Sequence, residues 1–215
     1  MLTRNALLTC LTFTFLTVSA NADFTHREAP LCATPEQSTK VADFYKKSPG
    51  IPTSVAAQML DMPEAQVVTA LPAEQNHGVL TTPDMVKDVF TTIDGWGART
   101  KLDLVYTMDG NHYFQFPSFT PMRQEDMFDG WVDAYADGGN GVHGHLWLSR
   151  IRSVHAVDMP GEKGSRTRAI SFYLPDGHLA MSIYASMPGG QNDKAALKGF
   201  AETSEFLRAL PSACQ

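Results

Sequence analysis

A chain of 215 residues, 43% hydrophobic and 19% charged, is long enough for one packed domain and too apolar for wholesale disorder. Its formal charge of −6 excludes the broad basic field that a nucleic-acid partner requires. The start of the chain reads as an export signal: Arg4, an uncharged run over residues 6–18, then Ser19-Ala-Asn-Ala22, with cleavage expected after Ala22. That run is too short to span a bilayer comfortably, so no stable membrane insertion is expected and the mature protein is placed in the periplasm or outside the cell. Cys10 leaves with the signal, and Cys32 and Cys214 remain. In an oxidising compartment they are expected to form a disulfide tying the two ends together; the alternative is two thiols that bind a metal.

Residues 23–50 read as an irregular leader followed by a helix, with Thr34 as its cap and Pro35 in its first turn. Two short helices follow, over 54–60 and 63–70, broken at Asp61-Met-Pro63. Their outline is that of a helix-turn-helix, but the charge argues against DNA, and a small helical cap on the main body is the better expectation. Thr82-Pro83 opens a stronger helix with an apolar stripe of Met85, Val86, Val89, Phe90 and Ile93. From about Arg99 the period becomes alternating. Leu102, Leu104 and Tyr106 share one face of a strand, Asp109-Gly110 signals a hairpin, and the return strand carries His112, Phe114 and Phe116 before a loop from Pro117 to Asp126. Further strands are expected over 127–136, 142–148, up to 157, 166–174 and 179–185, with Pro175-Asp-Gly177 as a second hairpin turn. A last helix, capped at Asn192, runs to about Leu210. The sum is an α+β domain: an antiparallel meander of about seven strands flanked by helices, with a helical N-terminal cap.

No Gly-rich phosphate loop, nucleophile elbow or H-E-x-x-H helix is present, and no catalytic triad can be picked out. The richest stretch is residues 141–157, which holds three of the seven histidines. In an extended strand, His143, His145 and Trp147 share one face and Gly144, Leu146 and Leu148 the other. Two imidazoles at this spacing can chelate zinc or copper, or stand beside a planar metal-bearing ligand.

Several stretches, in order, resemble the ChuX/HutX family of haem-utilisation proteins, relatives of the HemS and ChuS haem-handling proteins. They are the helical opening from Val55 to Leu71-Pro72, Phe90-Thr-Thr-Ile-Asp-Gly-Trp-Gly97, Leu104-Val-Tyr-Thr107, Gly144-His-Leu-Trp-Leu-Ser-Arg-Ile151 and the closing hairpin from Ile170 to Met181. The resemblance implies one such domain over residues 51–215, a HemS/ChuS-like fold, haem b as the bound group and a homodimer. His145 falls on the histidine of the family's Gly-His strand, and Tyr106 on a position where some relatives have histidine; a phenolate also ligates ferric haem. Tyr106 and His145 are therefore the expected iron ligands, with His143 and His112 in reserve. Trp96 is a candidate to line the porphyrin, and Arg150 and Arg152 to meet its propionates. The implied function is a haem carrier or scavenger that passes haem to a receiving protein. The alternatives are a haem-degrading enzyme of the HemS type and a ligand-free structural domain of the same fold.

Overall fold

The computed structural model describes residues 28–108, 112–120, 130–135 and 143–214. The export signal, the Asp109-Gly110 turn and most of the segments around β4 fall outside the described residues. Among the described residues, five α-helices and eight strands follow one another as α1 (Pro35–Lys47), α2 (Thr53–Leu60), α3 (Glu64–Thr69), β1 (Asn76–Leu80), α4 (Pro83–Asp94), β2 (Lys101–Met108), β3 (His112–Phe119), β4 (Trp131–Tyr135), β5 (His143–Trp147), β6 (Ser153–Pro160), β7 (Arg166–Tyr173), β8 (Leu179–Ser186) and α5 (Lys194–Arg208).

The helix signals translate into local structure. Thr34 and Gln37 form a capping box at α1, and Thr82 Oγ1 accepts from the Met85 amide at α4; each such cap stabilises its helix by about 1 kcal/mol. The last helix starts one residue later than its sequence suggests, because Asp193, not Asn192, caps the Ala195 amide. The meander is interrupted. Six strands form one antiparallel sheet in the order β1-β6-β7-β8-β2-β3, while β4 and β5 form a separate two-stranded ribbon. β1 is absent from the sequence reading; its Asn-His-Gly-Val-Leu string acquires strand geometry by pairing with β6. β3 runs through Pro117, which the sequence places in a loop, and an edge strand tolerates a residue that cannot donate.

Both sheet faces are covered. On the first, Leu102, Leu104, Ile170, Phe172, Met181 and Ile183 pack with Val86, Val89, Phe90 and Ile93 of α4 and with Phe200 and Leu207 of α5. Phe90 stacks on Phe172 with ring centroids 4.9 Å apart. Burying each of these side chains contributes roughly 1.5–3 kcal/mol. The ribbon closes the same face, sending Val132, Ala134 and Leu146 into this core. The second face, with Val105, Val157, Met159, Tyr173 and Tyr184, is covered by α1, α2 and α3. Cys32 and Cys214 meet beside that cluster with their Cα atoms 5.7 Å apart, at a sequence separation of 182. Among the described residues, no helix is long and apolar enough to cross a membrane.

Candidate functional site

The ribbon has two unlike faces, and its register fixes which residues share them. Trp131 lies opposite Trp147, Val132 opposite Leu146, Asp133 opposite His145 and Ala134 opposite Gly144. Partners directly across an antiparallel pair point to the same side. Val132, Ala134, Gly144 and Leu146 therefore face the core, while Trp131, Asp133, His145 and Trp147 face outward. The expected grouping of His145 with Trp147 is observed; nothing is described of the His143 side chain.

On the outer face, His145 Nδ1 lies 2.5 Å from Asp133 Oδ1, with side chains 45% and 13% exposed respectively. The contact is an ion-pair approach without an aligned hydrogen bond. The Trp131 ring lies 5.0 Å from the imidazole and 4.7 Å from the Trp147 ring. Trp147 is half exposed. A single 3-10 turn over Leu148–Arg150 follows β5 and swings Arg150 to the rim. Between this end of the ribbon and the β7–β8 hairpin is a shallow hollow of about 260 Å³. His145, Leu146, Trp147 and Arg150 line one side and Leu174, Pro175 and Ala180 the other.

Tyr106 is on the other side of β5. A Cβ on Gly144 would stand 3.2 Å from the Tyr106 hydroxyl, so the glycine lets the phenol approach the backbone of β5 from beneath. The hydroxyl has no hydrogen-bond partner among the described residues, and burial pushes its pKa up to about 12. Since neighbouring side chains on a strand point to opposite faces, the structure does not bring Tyr106 and His145 together. Tyr106 instead belongs to an aromatic row on the first sheet face with Phe116 and Phe114, which ends in the exposed His112 stacked 6.0 Å from Phe114.

The remaining candidates have structural tasks. Trp96 is buried between α4 and α5, where its indole donates to Thr203 Oγ1 at 3.0 Å. Arg152 donates to the carbonyl oxygens of Ala29 and Pro175 at 2.7 and 3.1 Å, tying the leader to the β7–β8 turn. Arg166 and Arg168 both lie against Asp158.

Two titratable clusters escape the sequence reading. His155 is 1% exposed and fills the space left by Gly78 on the paired strand; its ring nitrogens contact Asn76 Oδ1 and Ser153 Oγ at 3.0 and 3.2 Å. Burial, with His77 nearby, pulls its pKa down to about 3. Glu64, also buried, accepts from Thr107 Oγ1 at 3.1 Å and faces His178 Nδ1 at 2.9 Å. Both clusters lock elements together. Asp133 is the functional-looking residue that was missed, and the pairing register of β4 with β5 is the signal that finds it. Among the described residues, no group of three or more His, Cys, Asp or Glu is arranged to hold a metal ion; the His143 side chain, half of the expected zinc or copper pair, lies outside the described residues.

A model of the family described as haem utilisation ChuX/HutX matches residues 82–200, more than half of the chain. Among solved structures, a protein from Erwinia carotovora is 19% identical over 78% of this chain and 98% of its own, with a TM-score of 0.59. The haem-binding protein ChuX is 17% identical over 78% of this chain and 99% of its own, with a TM-score of 0.57. The haem-degrading enzyme ChuS from Escherichia coli O157:H7 is 12% identical with a TM-score of 0.56; the match covers 77% of this chain and 47% of ChuS. At these identities the likeness is one of fold. No curated protein matches the sequence.

Proposed function

The chain belongs to the haem utilisation ChuX/HutX family, and from that premise we propose that it is a haem carrier that takes its cargo against the outer face of the β4–β5 ribbon and surrenders it to a receiving protein. The observation that carries the reading is the company of His145. A half-exposed imidazole stands with a carboxylate at one ring nitrogen, the Trp131 indole beside it, Trp147 against that indole, and Arg150 at the rim of an adjoining hollow. These are the parts haem needs: a nitrogen donor for iron, flat apolar surface for the macrocycle and a cation for a propionate. Haem b, carrying two propionates and no covalent link to protein, suits them.

The hollow, at about 260 Å³, is smaller than the roughly 300–1,000 Å³ of enclosed small-molecule pockets. It seats one edge of a porphyrin and leaves the rest accessible, which favours hand-over more than retention. A second copy of the chain is a natural cover for the exposed part. Tyr106 is the weaker ligand candidate. Using it requires removing a proton held at about pKa 12 and lifting β5 off the phenol.

The location follows from the other end of the chain. Residues 1–22 have the pattern of an export signal, and Cys32 and Cys214 are placed for a disulfide, which persists in oxidising compartments. The carrier accordingly works in the periplasm or outside the cell, with residues 51–215 as its haem-handling domain.

Titrating the mature protein with haemin tests the function. A saturable Soret shift that His145→Ala weakens is the expected result; absence of a saturable shift contradicts it. Adding reductant and oxygen to the loaded protein separates a carrier from a haem-degrading enzyme. The carrier keeps its Soret band in the presence of catalase, whereas the enzyme loses it.

A further inference from the structure

We infer that Asp133 is a positioning residue for haem iron: from across the ribbon it holds the Nδ1 side of His145, so that iron is met at Nε2 by an imidazole of anionic character and the site favours ferric over ferrous haem. This rests on the reading of His145 as the ligand.

The placement is dictated by the strands. Asp133 and His145 are direct partners in the β4–β5 register, and the buried Val132 and Ala134 on either side of Asp133 turn it to the outer face. It is shielded there, 13% exposed, with Trp131 next to its partner. A shielded carboxylate is costly unless a cationic or proton-donating group faces it. The facing group is the imidazole, 2.5 Å away. Iron on Nε2 confines the ring proton to Nδ1, and a small rotation of the imidazole that brings this proton onto Asp133 turns the close, unaligned approach into a directed, charge-assisted hydrogen bond.

The chemical consequence follows from charge. A carboxylate that draws the Nδ1 proton leaves more electron density on Nε2 and makes it a stronger donor. A stronger, partly anionic donor stabilises the higher-charged ferric ion more than the ferrous ion. In a carrier working outside the cytoplasm, that preference matches the oxidised form of its cargo.

The experiment uses the full mature chain loaded with haemin, as wild type, Asp133→Asn and His145→Ala. Ferric affinity is taken from haemin titration, the midpoint potential from spectroelectrochemistry, and the iron–histidine stretch of the ferrous protein from resonance Raman. Asp133→Asn is expected to keep histidine ligation, to bind ferric haem about 10–100-fold more weakly and to raise the potential by about 59 mV for each tenfold loss of ferric preference. Its iron–histidine stretch should fall below that of the wild type. Unchanged affinity and potential in Asp133→Asn, with histidine ligation still lost in His145→Ala, overturn the role of Asp133 and leave the ligand reading standing. An unchanged spectrum in His145→Ala overturns both. Should Asp133→Asn fail to fold, the wild-type stretch decides: a frequency above that of ferrous haem with free imidazole supports the inference, and an equal one overturns it.

Discussion

Two histidines ten residues apart have opposite fates in this fold. His155 sits in the middle of β6, under the gap left by Gly78, with both ring nitrogens occupied and its charge suppressed by burial. His145 sits on a two-stranded ribbon at the margin, half exposed, with a carboxylate on one side and the Trp131 indole beside it. The six-stranded sheet has helices on both faces and holds His155 between them, paired to its own neighbours. The ribbon has only one face to bury, and the other is open to chemistry. Residue type therefore says little here; what decides is whether the strand carrying the histidine has one covered face or two.

That contrast can be broken in order of expected effect. Cys32→Ser with Cys214→Ser should cost the most stability, roughly 4–5 kcal/mol on loop-closure grounds, seen as a lower denaturant midpoint, with haemin affinity unchanged because the ribbon lies elsewhere. A midpoint unchanged by the substitutions, or by reductant, counts against the bond. His155→Ala should cost on the order of 3 kcal/mol through its cavity and two stranded partners, while His145→Ala should stay within about 0.5 kcal/mol of wild type, as exposed positions do. Comparable losses at the two sites would erase the distinction. Gly144→Ala presses a methyl on the Tyr106 hydroxyl, 3.2 Å from the new Cβ, and should destabilise by about 1–3 kcal/mol; Tyr106→Phe should relieve part of that. Acid provides a graded lever. Because the folded pKa of His155 is depressed to about 3, its contribution is complete above about pH 6.5 and is lost as pH falls towards 3. The loss is up to about 1.4 kcal/mol per pH unit, and His155→Gln should flatten that slope. Tyr106→Phe alone should change stability least, since its hydroxyl is buried without a partner among the described residues.

Much of the fold is legible in the residues. Thr34 and Thr82 mark helix starts, Met85 to Ile93 mark a covered helix face, and the alternation in β2, β7 and β8 gives their faces. The turn at Pro175-Asp-Gly177 is equally plain. β1 is not legible, because Asn76-His-Gly-Val-Leu80 lacks alternation and becomes a strand only when β6 is beside it. Pro117 misleads for the converse reason: it ends strands in general but is tolerated on an edge.

The candidate site divides in the same way. That His145 and Trp147 share a face follows from the two-residue period of a strand. That Tyr106 lies behind that face does not, because a strand's pattern cannot tell which sheet it covers. The Asp133 partnership depends on the register of two strands joined by seven residues, a loop too long to fix the pairing by turn geometry. Trp96 and Arg152 resemble ligand-lining residues in composition, yet they join α4 to α5 and the leader to β7–β8.

The central claim, that haem is received on the outer face of the ribbon at His145 and not beneath it at Tyr106, is tested most directly by one haemin titration run in parallel on wild type, His145→Ala and Tyr106→Phe. The expected result is a saturable Soret shift in wild type, kept by Tyr106→Phe and weakened at least tenfold by His145→Ala. A shift that survives in His145→Ala and disappears in Tyr106→Phe would contradict it, and would mean that the ribbon lifts to admit haem from the inner side.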